Sequence, residues 1–279
     1  MVHSSADPAI QTEQIIRYAG DEAEPRLDRV AVEEPLEIRL AGCSVAVTMR
    51  TPGDDLDLAA GFLFTERALQ SPDQIGSLAH CPTDDAASAA NIVNLNPVDP
   101  GLVDPARWQR AFFVASSCGI CGKDSIAAVR QDSTPITSDL SVAADMLYRL
   151  PDALRAGQEV FGRTGGLHAA GLFDAAGQRL AVREDVGRHN AVDKVIGHAF
   201  RQGMVPLTEC LLMVSGRLSF EVVQKALIAG IPIVAAVSAP SSLAVDLARE
   251  SGMTLVGFLR AESGHRRFNV YAGEGRIHA

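Results

Sequence analysis

Three short apolar runs in the C-terminal half constrain the fold more than any other feature of the sequence. They are CLLMVSG from Cys210, IPIVAAVS from Ile231 and TLVGFLR from Thr254, and segments with helical periodicity separate them. A continuous apolar run of this length is typical of a strand that is buried on both faces. Strands that alternate with helices favour parallel pairing through crossover connections. We therefore expect a C-terminal α/β domain.

Two predicted hairpins make the expected fold mixed. The runs TGGLHAAGLFD and QRLAVRED flank a turn at residues 174–177, and PLEIRLAG and CSVAVTMR flank another at Ala41 and Gly42. Both patterns predict antiparallel strands. We expect a polar leader over residues 1–25 that is disordered. A smaller, β-containing N-terminal domain over residues 26–140 and the larger domain over residues 141–279 would follow.

Two loops that follow the apolar runs are candidate ligand-binding segments. Ser215, Gly216 and Arg217 follow the first run, and residues 238–242 follow the second. Ligands of open α/β sheets lie at the carboxyl ends of the strands, where helix N-termini present free N–H groups to phosphate. Ordinary crossover loops with serine caps explain the same pattern. Neither loop matches the fingerprints of nucleotide hydrolysis or dinucleotide binding.

The stretch REDVGRHNAVDK, residues 183–194, is rich in polar groups for a junction between a strand and a helix. We expect Asp185 to cap the helix, Arg188 to face an anion, and His189 to pair with Asp193 four residues later. A capped surface helix would also explain this pattern. His168 is interpreted as a structural hydrogen-bonding residue, because Ala170 stands where a zinc deaminase would carry its glutamate.

Cys118 and Cys121 form the strongest local motif, Ser-Cys-Gly-Ile-Cys-Gly. The spacing suits half a zinc site, a redox disulfide or a reactive thiolate. No second pair of this kind and no nearby histidine pair completes a zinc site, so we expect no metal. The flanking glycines predict a mobile loop over residues 116–124. Spacing alone does not separate redox exchange from sulfur transfer.

The net charge, the apolar runs and the number of cysteines restrict where the protein is located and what it binds. The formal net charge is −9, which disfavours a protein that coats nucleic acid. The first residues lack the basic start and apolar run of a signal peptide, and no apolar run approaches the roughly 20 residues of a membrane helix. The five cysteines are an odd number, which argues against a disulfide framework. We expect a cytoplasmic protein that binds neither nucleic acid nor membrane.

Taken together, the motifs resemble the FdhD family, the sulfur carriers required for active formate dehydrogenase. The resemblance extends from about residue 33 to residue 273. It rests on several ordered segments, namely Thr51–Asp54 with Gly61–Leu63, Ser117–Gly122, Thr164–His168, Glu184–Lys194, Ser215–Arg217 and Phe268–Tyr271.

The resemblance implies a function, a fold and a set of site residues. A cysteine desulfurase would load sulfur onto Cys118 as a persulfide, with Cys121 assisting. The sulfur would become a ligand of molybdenum in the bis(molybdopterin guanine dinucleotide) cofactor, which serves the formate dehydrogenase apo-enzyme. The C-terminal domain would have the three-layer, cytidine deaminase-like fold, in a homodimer. The bound cofactor, or a nucleotide such as guanosine diphosphate, would contact Arg188, His189, Ser215, Gly216, Arg217, Phe268, Asn269, Val270, Tyr271, Ala272 and Gly273.

Three other functions remain open at this point. A thiol–disulfide oxidoreductase would use both Cys118 and Cys121. A non-catalytic chaperone would bind the cofactor or the apo-enzyme and would not need Cys118. A deaminase would require zinc and the glutamate that is missing at Ala170.

Overall fold

The computed structural model describes residues 7–81, 90–99, 101, 135–261 and 266–279. The strands within these residues are β1 Ile10–Ala19, β2 Glu22–Ala31, β3 Glu34–Leu40, β4 Cys43–Arg50, β5 Ile75–His80, β6 Ile92–Pro97, β7 Val142–Ala143, β8 His168–Asp174, β9 Arg179–Asp185, β10 Cys210–Val214, β11 Ile233–Ala236, β12 Thr254–Arg260, β13 Arg267–Ala272 and β14 Ile277–His278. The α-helices are α1 Asp55–Thr65, α2 Ala144–Leu147, α3 Leu150–Arg155, α4 Glu159–Thr164, α5 Arg188–Arg201, α6 Phe220–Ile228 and α7 Ser242–Glu250.

A six-stranded mixed sheet forms the centre of the C-terminal half. Its order is β13-β12-β11-β10-β8-β9, with β10, β11 and β12 parallel to one another. The strand β8 is antiparallel to β10 and to β9, and β13 is antiparallel to β12. The α/β class, the parallel apolar strands and the hairpin at residues 174–177 are confirmed.

The large sheet lies between two helical layers, because alternate residues of each strand face opposite sides. Along β10, Leu212 and Val214 belong to a core shared with α5, α6 and α7. Leu211 and Met213 belong to a second core shared with α2 and α3. Every residue of β10 is buried, as expected for a strand covered on both faces. The further likeness to cytidine deaminases stays a prediction.

A four-stranded sheet of order β4-β3-β6-β5 forms the centre of the N-terminal half. The predicted hairpin turn is present, and Ala41 and Gly42 have φ values of 51° and 78°. The inward side chains of this sheet, such as Leu36 and Ile38, belong to the same core as α5 and the large sheet. The two halves therefore share one continuous core.

Helix α1 joins the halves by packing closely on α5. A Cβ atom added at Gly61 would lie 2.9 Å from the backbone nitrogen of Gly197 and closer still to the carbonyl of Asp193. Helix α5 buries Val192, Val195 and neighbouring positions at helical spacing. The two glycines thus allow the helix backbones to touch.

The expectation of a disordered leader is wrong for its second half. Residues 10–31 form a two-stranded antiparallel hairpin, with Ile10 opposite Ala31 and Ala19 opposite Glu22. Gly20, with a φ of 64°, supplies the turn. The sequence signal was weak because charged residues occupy both strands.

None of the helices in the described residues is long and apolar enough to span a membrane.

Candidate functional site

The ends of six strands meet at one edge of the large sheet, which we call the carboxyl edge. Strands β10, β11 and β12 end there, at Val214, Ala236 and Arg260. The antiparallel pairings also bring there the start of β8, the end of β9 and the start of β13. Helices α5, α6 and α7 begin directly after β9, β10 and β11. Their N-termini therefore direct backbone N–H groups towards this edge, which favours an anionic ligand.

The two predicted ligand loops are hydrogen-bonded to each other at this edge. The N–H of Leu218 donates to the carbonyl of Ala239 over 3.1 Å, and the N–H of Ser241 donates to the carbonyl of Leu218 over 2.9 Å. The hydroxyl of Ser215 accepts from the N–H of Ala169 at 2.8 Å. These bonds fix the loops before any ligand arrives.

Gly216, His168 and Arg188 converge at one point of the carboxyl edge. A Cβ atom added at Gly216 would lie 3.4 Å from Nδ1 of His168 and 3.9 Å from Cβ of Arg188. A larger residue at this position would therefore crowd the imidazole. The structure thus brings together two segments that the sequence separates by almost fifty residues.

This corner carries positive charge and an unsatisfied donor. Within the described residues, Nε of Arg188 is buried and has no hydrogen-bond partner. A buried donor without a partner is costly, and an anion would satisfy it. Burial, followed by the charges of Arg188 and Arg217, lowers the pKa of His168 in spite of Asp185. The local positive potential thus comes from the two arginines.

His189 is held as a neutral imidazole beside this corner. Its Nε2 lies 3.2 Å from the hydroxyl of Ser219 and 3.7 Å from the carboxylate of Glu221. Burial and then the charge of Arg188 lower its pKa to about 4, although Glu221 opposes the shift. The neutral ring is suited to hydrogen-bond an uncharged polar atom of a ligand.

The predicted pair between His189 and Asp193 is wrong. Asp193 points into the protein, where its carboxylate lies 2.9 Å from Nζ of Lys225 and accepts from the hydroxyl of Thr65 at 2.8 Å. The two side chains are four positions apart and both reach α6, but His189 contacts Glu221 near the start of that helix and Asp193 contacts Lys225 one turn later.

The prediction that Asp185 caps α5 is also wrong, since Gly187 occupies the N-cap position. Asp185 ends β9 and is fully buried. Its carboxylate accepts from the N–H of Gly187 at 2.8 Å and from that of Thr51 at 3.2 Å. The ammonium of Lys194 lies 2.8 Å away and also donates to the carbonyl of Thr51. This buried pair holds the turn that presents Arg188.

The structure spreads the predicted segment Phe268–Gly273 along β13. Because Arg267 pairs with Arg260, the residues that follow it, Phe268 and Asn269, lie near the carboxyl edge. Ala272 pairs with Leu255, so Ala272 and the following Gly273 lie towards the opposite edge of the sheet. Three strand spacings separate β13 from β10, about 14 Å.

The middle of β13 also reaches towards the loops. A Cβ atom added at Gly257 would lie about equally close to the ring of Tyr271, the carbonyl of Ser238 and the ring of Pro240. Tyr271 is therefore beside the second loop, whereas the neighbouring Val270 is partly exposed.

Cys118 and Cys121 lie outside the described residues, and their assignment stays a prediction. The described chain resumes at Pro135, and the N–H of Ile136 donates to the carbonyl of Ser251 at 2.9 Å.

Three residues of the site were not identified as site residues from the sequence. They are Thr51, Ser219 and Glu221. The hydroxyl of Ser219 makes no capping bond and instead contacts His189. The available signal was that Ser219 and Glu221 open a helix directly after a buried strand, where ligand-facing residues concentrate.

Comparisons with known proteins identify relatives over nearly the whole chain. Residues 31–278 match the model of the FdhD/NarQ family. The chain is 52% identical to the sulfur carrier protein FdhD of Streptomyces avermitilis over 273 residues, covering 95% of this chain and 94% of that protein. It is 51% identical to the same-named protein of Mycobacterium tuberculosis over 271 residues, covering 95% and 97%.

A solved structure has the same fold. It is a crystal structure of a Desulfotalea psychrophila protein described as a candidate formate dehydrogenase accessory protein. The match has a TM-score of 0.76 at 24% identity and covers 97% of this chain and 100% of that one.

Proposed function

The chain belongs to the FdhD/NarQ family, and from this premise we propose that it is a sulfurtransferase that carries sulfur as a persulfide on Cys118. The observation that carries the proposal is the identity of about half the residues with curated sulfur carriers over 95% of the chain. The thiol motif at Cys118 and Cys121 supplies the chemistry. A cytoplasmic location suits this chemistry, because thiols stay reduced there.

Loading requires only thiol chemistry. The donor is a cysteine desulfurase that carries its own persulfide. The thiolate of Cys118 attacks the outer sulfur of that persulfide, so a new S–S bond forms at Cys118 while the donor's S–S bond breaks. The donor cysteine leaves as a thiolate. The outer sulfur is then the atom to be delivered, and Cys121 assists by exchange with Cys118.

The proposed recipient of the sulfur is the bis(molybdopterin guanine dinucleotide) molybdenum cofactor, bound at the carboxyl edge as a substrate and destined for the formate dehydrogenase apo-enzyme. Arg188 and Arg217 are placed to bind its phosphates, and the buried Nε of Arg188 gains a partner when they do. The N-terminus of α5 adds backbone donors. The distance from this corner to β13 suits a large ligand that also contacts Phe268 and Asn269.

Mass spectrometry tests the persulfide directly. After incubation with a cysteine desulfurase and cysteine, the intact protein should gain the mass of one sulfur, and a reducing agent should remove it. Cys118→Ala should abolish the gain, because Cys118 is the thiolate that attacks the donor persulfide, whereas Cys121 only exchanges with Cys118. Cys43→Ala is the matched control and should load normally, since this thiol lies in the N-terminal sheet.

This loading experiment, together with a test of formate dehydrogenase activity in cells, separates the competing functions. A thiol–disulfide oxidoreductase would show an intramolecular disulfide and no stable sulfur gain. A cofactor-binding chaperone would restore formate dehydrogenase activity in cells even as Cys118→Ala. Either result would reject the sulfur-carrier proposal.

A nucleotide-binding experiment tests the carboxyl edge. Guanosine diphosphate at a hundredfold excess over its dissociation constant should raise the melting temperature by about 5 °C or more. Arg188→Gln should weaken binding by roughly 10- to 100-fold, because a charge-assisted contact to phosphate is lost. Arg249→Gln is the control, since Arg249 is exposed in the last turn of α7, away from this edge. Equal shifts in both variants would remove the assignment of Arg188.

A further inference from the structure

Phe258 has a backbone conformation that its residue type rarely adopts. Its φ is 53°, in the left-handed region. In this region the backbone crowds the Cβ atom of an L-residue, and a bulky residue there is an outlier. Glycine would adopt the same conformation freely. The chain therefore carries a phenylalanine where the bend alone would favour glycine, and residues held in such conformations concentrate at functional sites.

A β-bulge in β12 separates this side chain from the core. Between its pairings with Asn269 and Arg267, β12 has one residue more than β13. Val256 and Leu259 both belong to the core shared with α2 and α3, although strict alternation would place Val256 and Phe258 on that face. Phe258 is thus the extra residue of the bulge, and Leu259 takes its place in the core. Bulges redirect side chains in this way beside functional sites.

Phe258 lies at the carboxyl edge, beside the second ligand loop. Its N–H donates to the carbonyl of Ser238, in that loop, at 3.1 Å. Phe258 is 37% exposed, whereas the adjacent Leu259 is fully buried. In the part of the chain that the structure describes, its ring packs on no other aromatic ring. The loop therefore fixes the backbone of Phe258, while the ring stays accessible to a ligand.

The positively charged corner at Arg188 is within the reach of one nucleotide from Phe258. Arg188 and Gly216 lie beside β8 and β10, and β12 is the second strand from β10. Two strand spacings amount to about 10 Å. An extended nucleoside diphosphate covers a comparable distance between its terminal phosphate and its base. A ligand whose phosphates contact Arg188 can therefore place its base at Phe258.

From these observations we propose that Phe258 stacks on the guanine base of the nucleotide, and so gives the carboxyl edge its preference for a nucleotide over a simple phosphate. The inference rests on the cofactor site of the proposed function and adds the residue that recognises the base. A base presents a π face, and stacking on an aromatic side chain is favourable. Because the bulge holds the ring before the ligand arrives, little conformational freedom is lost on binding.

Titration calorimetry with guanosine diphosphate tests the stacking contact. Phe258→Leu removes the ring but keeps an apolar side chain, and it should weaken binding roughly 10-fold, because the stacking on the base is lost. Phe258→Tyr keeps the ring and should bind like the natural protein. Leu180→Ala is the control and should also bind normally, since Leu180 is 42% exposed near the start of β9, at the opposite edge of the sheet.

Inorganic pyrophosphate separates a contact with the base from a general disturbance of the site. It has no base, so Phe258→Leu and the natural protein should bind it equally, whereas Arg188→Gln should weaken the binding of both ligands. Unchanged affinity of Phe258→Leu for guanosine diphosphate, equal weakening of both ligands in that variant, or weak binding by Phe258→Tyr would each overturn the role of Phe258. Failure of the natural protein to bind guanosine diphosphate would instead reject the cofactor site of the proposed function, and this inference with it.

Discussion

Replacing Gly61 by alanine should destabilise the protein by about 3 kcal/mol or more. The added Cβ would lie 2.9 Å from the backbone nitrogen of Gly197 and nearer still to the carbonyl of Asp193. Both obstacles are backbone atoms of α5, so no side-chain rotation can relieve the overlap. Helices α1 and α5 would have to separate, which would loosen the core that both halves of the chain share.

Chemical denaturation followed by circular dichroism measures this effect. Gly162→Ala is the matched control, because Gly162 is also helical and a Cβ there meets nothing within 4 Å. That variant should be neutral or stabilised by up to about 1 kcal/mol, since alanine favours helix. Equal stability of the two variants would show that α1 and α5 do not pack at contact distance.

The sequence predicted most elements of the large sheet, and the hairpin of β3 and β4 in the smaller one, because their signals are local. Strands β10 to β12 appear as uninterrupted apolar runs, and the turns at residues 41–42 and 174–177 carry the residues that hairpins require. The hairpin of β1 and β2 was missed because charged residues such as Glu13 and Arg17 occupy one face of its strands, and the other face mixes Ile16 and Leu27 with polar residues. A strand with neither face buried gives no hydrophobic period.

The sequence predicted which residues form the candidate site better than it predicted which partners those residues contact. Arg188, His189 and Gly216 were named from strand-end position, and the structure places them at one edge. Their partners come from distant segments. Thr51 lies 134 positions from Asp185, and Lys225 lies 160 positions from Thr65. No local pattern encodes such pairings, so helical spacing wrongly suggested that His189 binds Asp193.

The same distant contacts explain why several polar motif residues belong to the core. Asp185 and Lys194 are at most 1% exposed and form a buried pair close to Arg188 in the sequence. A charge inside a protein must be paired, because its desolvation is otherwise uncompensated. One short segment therefore supplies both Arg188, the proposed ligand contact, and the buried residues that fix the turn on which it lies.

The second buried ion pair, between Lys225 and Asp193, should affect the stability of the protein more than the pair between Asp185 and Lys194. Lys225 and Asp193 are 2.9 Å apart, and the ammonium also donates to the hydroxyl of Thr65 at 2.9 Å. Burial alone would lower the pKa of Lys225, but the nearby charges of Asp193 and Glu66 raise it, so the side chain is an ammonium at pH 7. Lys225→Met would leave Asp193 buried without a counter-ion. We expect a loss of about 3–5 kcal/mol in the free energy of unfolding.

A double-mutant cycle with Asp193→Asn identifies the cause of that loss. If the uncompensated carboxylate is responsible, the double variant should be more stable than the sum of the two single losses predicts, by about 2 kcal/mol or more. Arg163→Met serves as the control, because Arg163 and Asp7 form an ion pair with both side chains at least one-third exposed. Its loss should cost less than about 1 kcal/mol. Additive losses at Lys225 and Asp193 would show that the two charges do not depend on each other, and the junction of α1, α5 and α6 would then be held by apolar packing alone.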